Sequence, residues 1–228
     1  MLKRMSKTNT QWALGWCALI VLVVLLWQPF HAQMIDKPDG PPWIYGNPEA
    51  RFTVALYADL ECPHCQVYLP QLQRWVVTND HVNLAWHHLP LPQHDPAASR
   101  EAALAECAGQ LEGREAFWGE VPWVFLHTQG NGLGLPSDTK YPKHSPALQA
   151  CLEGQEIAQV VQAHQRDAQR YGLNVTPALR LIDNHSQRIL TLRGTVEPDA
   201  LLSAIDLLVP PESPNTEMPA NTVSEMPR

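Results

Sequence analysis

Two cysteines separated by two residues follow an apolar run in the first third of the chain. The run covers residues 52–60, and the motif is Cys62-Pro63-His64-Cys65. Cysteines three apart in the first turn of a helix can close a small disulfide ring, with one sulfur exposed and the other behind it. Cys62 is the natural nucleophile of such a pair. The motif therefore predicts thiol–disulfide exchange through a mixed disulfide.

The residues around Cys62 favour a thiolate. At a helix N-terminus, unpaired backbone N–H groups and the helix dipole stabilise an anion. Pro63 suits the first helical turn, where its missing N–H costs nothing, and His64 can carry a positive charge near neutral pH. We expect these groups to lower the pKa of Cys62 from about 8.5 into the range of about 3.5 to 7.5. A stabilised thiolate favours the reduced form, so the disulfide becomes an oxidant.

Two other interpretations of the CxxC motif compete with the redox one. Half of a zinc site would need a second CxxC or a His pair at ligand spacing, and the sequence contains neither. A structural disulfide would leave the Pro63-His64 pair without a purpose. His87 and His88 alternate on a predicted strand, one facing the core and one facing solvent, so they do not suit a shared metal ion. We therefore predict a redox site that needs no metal and no organic cofactor.

The N-terminal sequence predicts an export signal. Lys3, Arg4 and Lys7 precede sixteen consecutive residues, 12–27, that are almost all apolar. This is the layout of a secretory signal or signal anchor whose positive flank stays inside. The stretch is longer than most signal cores and slightly shorter than a spanning helix of about 20 residues. We expect residues 1–33 to be kept as a transmembrane anchor, with cleavage as the alternative.

The rest of the chain divides into a linker, one domain and a tail. Residues 34–46 are rich in proline and glycine and predict a linker, whereas residues 210–228 predict a disordered tail. Residues 47–209 are enough for a single domain with one core. The formal net charge is -7 for the whole chain and becomes -10 without residues 1–33, which hold three basic and no acidic residues. This charge argues against nucleic acid as a partner.

Hydrophobic periodicity predicts an α/β domain. A strand, a helix and a second strand suit a parallel βαβ unit, and a hairpin with a final helix suits a ββα unit. Between them, about residues 95–172 form a helical insertion. The predicted strands are 51–60, 82–89, 178–182 and 189–193, and the predicted helices are 63–77, 97–111, 155–171 and 198–208. The glycine-rich segment 130–134 precedes no helix, so we interpret it as a flexible loop and not as a phosphate site.

From about Gly46 to Leu208 the sequence resembles the DsbA-like branch of the thioredoxin superfamily. The resemblance rests on residues 46–50, Asp59, the Cys-Pro-His-Cys motif, Thr176-Pro177, Glu106-Cys107-Ala108, Phe117-Trp118 and Ala150-Cys151-Leu152. It implies a thioredoxin-like fold with a helical insertion between the βαβ and ββα halves. Among CxxC centres of this family, the Pro-His dipeptide is associated with strongly oxidising members.

The same resemblance implies a substrate site at Thr176 and Pro177. Pro177 would be cis and face the CxxC motif, and Thr176 would present its backbone to an extended peptide that pairs as an added strand. From the residues alone, an ordinary trans proline at a strand start is the alternative. A threonine before this proline is shared with isomerases of the family, which weakens the case for a pure oxidase.

Proton transfer to the inner thiol, Cys65, lacks its usual partner. Many thioredoxin-like proteins carry a buried acid six residues before the nucleophile, and here that position is Leu56. Water, Glu61, Asp59 or His64 must then exchange protons with Cys65. Glu61 also opposes the Cys62 thiolate, although solvent would screen it well if it were exposed.

Cys107 and Cys151 fall in the helical insertion. In an exported domain, thiols that can pair tend to be oxidised, so we expect a second, structural disulfide. The alternative is two buried free thiols, because cysteine is often a core residue.

These observations predict an exported thiol:disulfide oxidoreductase that oxidises unfolded or partly folded proteins with free cysteines. The resemblance implies reoxidation by a DsbB-type membrane partner and a location on the periplasmic side of the inner membrane, anchored by the N-terminus or free if the signal is cleaved. Two alternatives stay open. One is an isomerase or reductase kept reduced by a membrane donor, and the other is a chaperone that binds peptides beside Thr176.

Overall fold

The computed structural model describes residues 40–142 and 144–209. The predicted anchor at residues 1–33 and the predicted tail at 210–228 lie outside the described residues. Within the described part of the chain, none of the helices is both long and apolar enough to cross a membrane.

A five-stranded mixed sheet forms the centre of the domain. Its strands are β1 (Ile44–Gly46), β2 (Phe52–Ala58), β3 (Val82–His88), β4 (Ala178–Asp183) and β5 (Ile189–Arg193), in the spatial order β1-β3-β2-β4-β5. β2 and β3 are parallel, and the other three pairs are antiparallel. β2 lies in the middle of the sheet, which explains its nearly continuous apolar sequence.

Six α-helices accompany the sheet in the part of the chain that the structure describes. They are α1 (Pro63–Thr78), α2 (Ala97–Glu112), α3 (Arg114–His127), α4 (Pro146–Glu153), α5 (Gln155–Arg170) and α6 (Pro198–Leu208). α1 connects β2 to β3, the hairpin β4–β5 follows the insertion, and α6 packs against that hairpin. The predicted order of a βαβ half, a helical insertion and a ββα half is confirmed.

The end of the predicted linker belongs to the folded domain, so its boundary at residue 46 is wrong. Residues 44–46 form β1, and Trp43 just before them is buried. The Trp43 ring stacks on Phe117 at 5.3 Å, and its Nε1 donates to Glu106 at 2.9 Å. A three-residue strand is too short to show a period in the sequence, and its pairing partner, β3, lies about forty residues away.

The helical insertion contains two helices that periodicity did not predict, α3 and α4. Gly113 separates α2 from α3 with a φ of 89°, which favours glycine. The Ser145 side chain caps α4 by accepting from the N–H of Leu148. Cys107 on α2 and Cys151 on α4 are joined by a disulfide, with their Cα atoms 5.9 Å apart. The disulfide therefore links the first helix of the insertion to a helix more than forty residues later.

The prediction that one of His87 and His88 faces solvent is wrong. His88 is buried and lies with its Nε2 3.2 Å from Glu106, while its Nδ1 accepts from the Trp86 indole. His87 stacks on Tyr57 at 4.7 Å, and burial lowers its pKa to about 3. Both faces of the sheet are covered at this strand, so the His88 side chain is buried on one face and the His87 side chain is partly buried on the other.

Candidate active site

The CxxC motif begins α1, directly after the central strand. Cys62 is the N-cap residue and Pro63 occupies the first helical turn. Pro63 and His64 are exposed, whereas Cys62 and Cys65 are only 5% and 2% exposed. Both cysteines are free thiols. Cys62 is thus less exposed than the motif predicted, because neighbouring elements cover it.

One of these neighbours is the peptide bond between Thr176 and Pro177, which is cis. The Cys62 sulfur lies 3.5 Å from the Thr176 carbonyl oxygen, to which it donates when it is protonated. The structure thereby brings the CxxC motif together with the predicted substrate residues, Thr176 and Pro177. More than one hundred positions separate the two groups in the sequence. A backbone carbonyl beside a reactive sulfur can also pair with an extended peptide.

The electrostatic environment separates the two thiols. The Cys65 thiol donates to the Cys62 sulfur and so lowers the pKa of Cys62 to about 5, against the opposing effect of burial. The Thr176 hydroxyl and the backbone N–H groups of Cys65 and His64 lower it further. Burial, followed by the neighbouring Cys62, raises the pKa of Cys65 well above its usual value. At neutral pH the site therefore holds a thiolate on Cys62 and a thiol on Cys65.

Asp59 is buried beneath the motif and organises the turn before it. Its carboxylate accepts from the N–H groups of Glu61 and Leu91, each at 2.8 Å, and lies 2.7 Å from His94 Nδ1. Burial raises the pKa of Asp59, and these partners oppose the rise only in part. The Asp59 carbonyl accepts from the N–H of Cys62 at 3.1 Å. Asp59 therefore positions the helix start as well as being a candidate proton carrier.

Glu61 is fully buried, so the expectation that solvent would screen it if exposed does not apply. Its Oε2 accepts from the N–H groups of Gly132 at 2.8 Å and Gly134 at 3.0 Å, and its Oε1 accepts from the Thr128 hydroxyl. Burial acts to raise the pKa of Glu61, but these donors and the nearby Glu101 outweigh it, so the pKa is lowered.

The glycine-rich segment is a structured loop and not the flexible one that we predicted. Besides the bonds to the Glu61 carboxylate, the N–H of Asn131 donates to the Glu61 carbonyl oxygen at 2.7 Å. Gly132 and Gly134 have φ values of 85° and 75°, which favour glycine. We call residues 128–134 the Glu61 loop. It forms one wall of a cavity of about 50 Å³ beside Cys62.

Sequence reasoning missed Thr128, His94 and Glu101, of which Glu101 lies on α2. Its carboxyl group contacts Glu61 and is only 3% exposed. Burial and the negative charge of Glu61 raise the pKa of Glu101 to about 9. No local sequence pattern identifies Glu101 as a site residue, because it lies forty positions from Glu61 in a helix without a recognisable motif.

A model of the thioredoxin family matches residues 39–206 of the chain. The chain belongs to the thioredoxin superfamily. Within it, the crystal structure of Pseudomonas aeruginosa DsbA2 is 42% identical with a TM-score of 0.71, and the match covers 74% of this chain and 94% of that one. The resemblance to DsbA-like proteins, the thioredoxin-like fold and the assignment as a thiol:disulfide oxidoreductase are thereby confirmed.

More distant structures support the fold alone. A thioredoxin-like oxidoreductase from Silicibacter pomeroyi is 24% identical with a TM-score of 0.55, and the match covers 75% of this chain and 93% of that one. For alpha-DsbA1 from Wolbachia pipientis the identity is 18%, the TM-score 0.55, and the coverage 76% and 92%.

The curated proteins that resemble this DsbA-like chain are much larger, and only part of each one matches it. Na⁺/H⁺ antiporter NhaA 3 from Salinispora tropica is 39% identical over 75 residues, which is 33% of this chain and 11% of the antiporter. NhaA 1 from Mycolicibacterium gilvum is 28% identical over 148 residues, which is 60% of this chain and 22% of the antiporter. The chain thus spans about a tenth to a fifth of the length of these relatives.

The lowered pKa of Cys62 predicts a pH-dependent stability difference between the reduced and oxidised protein. A thiolate that is favoured in the folded state stabilises it fully above the unfolded pKa of about 8.5 and loses this effect as pH falls towards 5. We expect the melting temperature of the reduced protein, relative to the oxidised one, to rise from pH 5 to pH 8. Absorbance at 240 nm should show a thiolate titrating near pH 5, and Cys62→Ala should abolish both signals. A thiolate that appears only above pH 8 would contradict this assignment.

Proposed function

We propose that this DsbA-like protein is a disulfide donor to other proteins. A client thiolate attacks the Cys62 sulfur, the Cys62–Cys65 bond breaks, and Cys65 leaves and takes up a proton. A second client thiolate attacks the client sulfur of the mixed disulfide and releases the Cys62 thiolate. The client loses two electrons, and the enzyme gains them as a dithiol.

The observation that carries this proposal is the contrast between the two thiols. With the pKa of Cys62 lowered to about 5 and that of Cys65 raised, the reduced pair is stabilised as one thiolate and one thiol. Stabilising the reduced form makes the disulfide more oxidising, because the equilibrium with client thiols shifts towards the reduced enzyme. His64, which is exposed at the helix start, can add positive charge to the same region.

Client binding is assigned to Thr176 and the cis Pro177. The Thr176 carbonyl lies beside Cys62, so a peptide strand bonded to this backbone would bring its cysteine to the reactive sulfur. Because main-chain bonds carry the recognition, the clients are unfolded or partly folded proteins with free cysteines. Proton exchange with Cys65 is assigned to Asp59, whose raised pKa suits a group that both gives and takes protons.

Location and recycling complete the proposal. The basic residues and apolar stretch of residues 1–33 support export and an N-terminal anchor in the inner membrane, with the catalytic domain in the periplasm. Each turnover leaves two electrons on Cys62 and Cys65, so an external oxidant must remove them. We assign this step to a DsbB-type, quinone-linked membrane partner, which an anchored enzyme would meet by lateral diffusion.

The reduction potential of the Cys62–Cys65 couple tests the direction of the reaction. The full-length protein in detergent is equilibrated with glutathione buffers, and the redox state of the peptide containing Cys62 is read by alkylation and mass spectrometry. A potential less negative than about -180 mV would support a disulfide donor. A potential near about -270 mV would instead identify a reductase fed by a membrane donor.

A further inference from the structure

Two carboxyl groups, those of Glu61 and Glu101, are in contact, and both are removed from water. Glu61 is fully buried and Glu101 is 3% exposed. They come from different elements: Glu61 precedes α1, and Glu101 lies on α2. Two ionised carboxylates in contact repel each other strongly at such burial, whereas one proton between them turns the repulsion into a hydrogen bond.

The hydrogen-bond donors around the pair show where that proton is. Glu61 receives three donors from the Glu61 loop, namely the N–H groups of Gly132 and Gly134 and the hydroxyl of Thr128. Thr128 has a single hydroxyl proton, and its oxygen accepts from the N–H of Gly130 at 3.1 Å. Glu61 therefore suits the ionised member, and Glu101 must bring its own proton to bond with it.

The charged groups that face Glu101 are other acids. Glu61 and, more weakly, Asp59 act on it, and His94 is bound to Asp59. The adjacent Arg100 is exposed and directs its Nε to the Pro96 carbonyl oxygen at 3.3 Å. This surrounding negative charge keeps the proton on Glu101 well above the pH at which a glutamate usually ionises.

We propose that Glu61 and Glu101 share one proton, carried by Glu101, and that this proton holds the Glu61 loop in place against Cys62. Glu101 is then a positioning residue for thiol–disulfide exchange, an inference that rests on the proposed role of Cys62. Loss of the proton places two buried charges in contact. Glu61 then withdraws from the loop, and the wall of the cavity beside Cys62 loosens.

The test follows the reduced full-length protein in detergent as it attacks a glutathionylated cysteine peptide between pH 7 and 10. Because the pKa of Cys62 is about 5, its own titration is complete in this range. We expect the rate constant of the wild-type protein to fall about fivefold around pH 9, the factor that corresponds to one hydrogen bond of the loop. The Glu101→Gln variant keeps a neutral hydrogen-bond donor, so its rate should stay near the wild-type plateau.

Titration of the peptide and of Cys65 affects the wild type and Glu101→Gln equally, so it cancels in the ratio of their rate constants. Glu115→Gln changes an exposed carboxylate on α3 and should behave as the wild type. Amide hydrogen exchange of residues 130–134, corrected for the intrinsic pH dependence, should accelerate above pH 9 in the wild type but not in Glu101→Gln. This second readout reports on the loop without relying on catalysis.

Two results would overturn the inference. One is a wild-type rate that is flat from pH 7 to 10, and the other is a decline that Glu101→Gln retains. Alkylation of Cys62 by iodoacetamide separates this failure from failure of the proposed function. If Cys62 is alkylated rapidly but does not attack the peptide at any pH, the proposed function fails. If it attacks at a rate that is independent of Glu101, only the positioning role fails.

Discussion

Replacing Cys62 with alanine is expected to reduce the rate of disulfide transfer to a reduced client protein by at least about a thousandfold. The reason is that the variant cannot form the Cys62–Cys65 disulfide that a client thiolate attacks. The other free thiol in the described part of the chain, Cys65, is 2% exposed, and its raised pKa keeps it protonated. The measurement is the rate at which a reduced, unfolded client regains its disulfides with the oxidised enzyme as the oxidant.

The matched variant for this experiment is Cys65→Ala. It keeps the Cys62 nucleophile but removes the thiol that would resolve a mixed disulfide, so we expect a covalent complex with a client disulfide to accumulate. The aggregation of an unfolded client should be followed in parallel. If Cys62→Ala retained the activity of the protein in cells and still suppressed aggregation of the client, the chain would be a peptide-binding chaperone. The enzymatic proposal would then be wrong.

Removing the disulfide of the helical insertion is expected to lower the free energy of unfolding by about 4 kcal/mol. Cys107 and Cys151 are separated by 44 positions, and a cross-link that closes a loop of this length restricts the unfolded chain by about this amount. The double variant Cys107→Ala/Cys151→Ala should show this loss in urea denaturation. The comparison requires Cys62 and Cys65 in the same redox state in both proteins.

The active site serves as the control for this second experiment. Cys107 and Cys151 join α2 to α4, whereas the CxxC motif begins α1, so the reduction potential of the Cys62–Cys65 couple should change little. A loss of stability below about 1 kcal/mol would show that the insertion holds its packing without the cross-link. Reduction of the wild-type protein cannot replace the variant, since it also opens the active-site disulfide.

The sequence alone was sufficient for the features that depend on local chemistry. The apolar run of β2, the Pro63 at the helix start and the cysteine spacing predicted a strand, a helix and a dithiol in the right order. The resemblance added the partner residues Thr176 and Pro177, which the structure places beside Cys62. The predictions of the strand and the helix succeeded because dihedral preferences and burial periodicity act over a few residues.

Only the tertiary structure decided which distant residues meet. The pairing of β1 with β3, the bond between Cys107 and Cys151, and the burial of Glu61 under a glycine-rich loop each join segments at least about forty positions apart. The contact of Glu61 with Glu101 is of the same kind, and it reversed our view of Glu61 as a charge that solvent could screen. Local sequence determines which groups can ionise, but packing determines how much water and which charges surround them, and therefore whether they ionise.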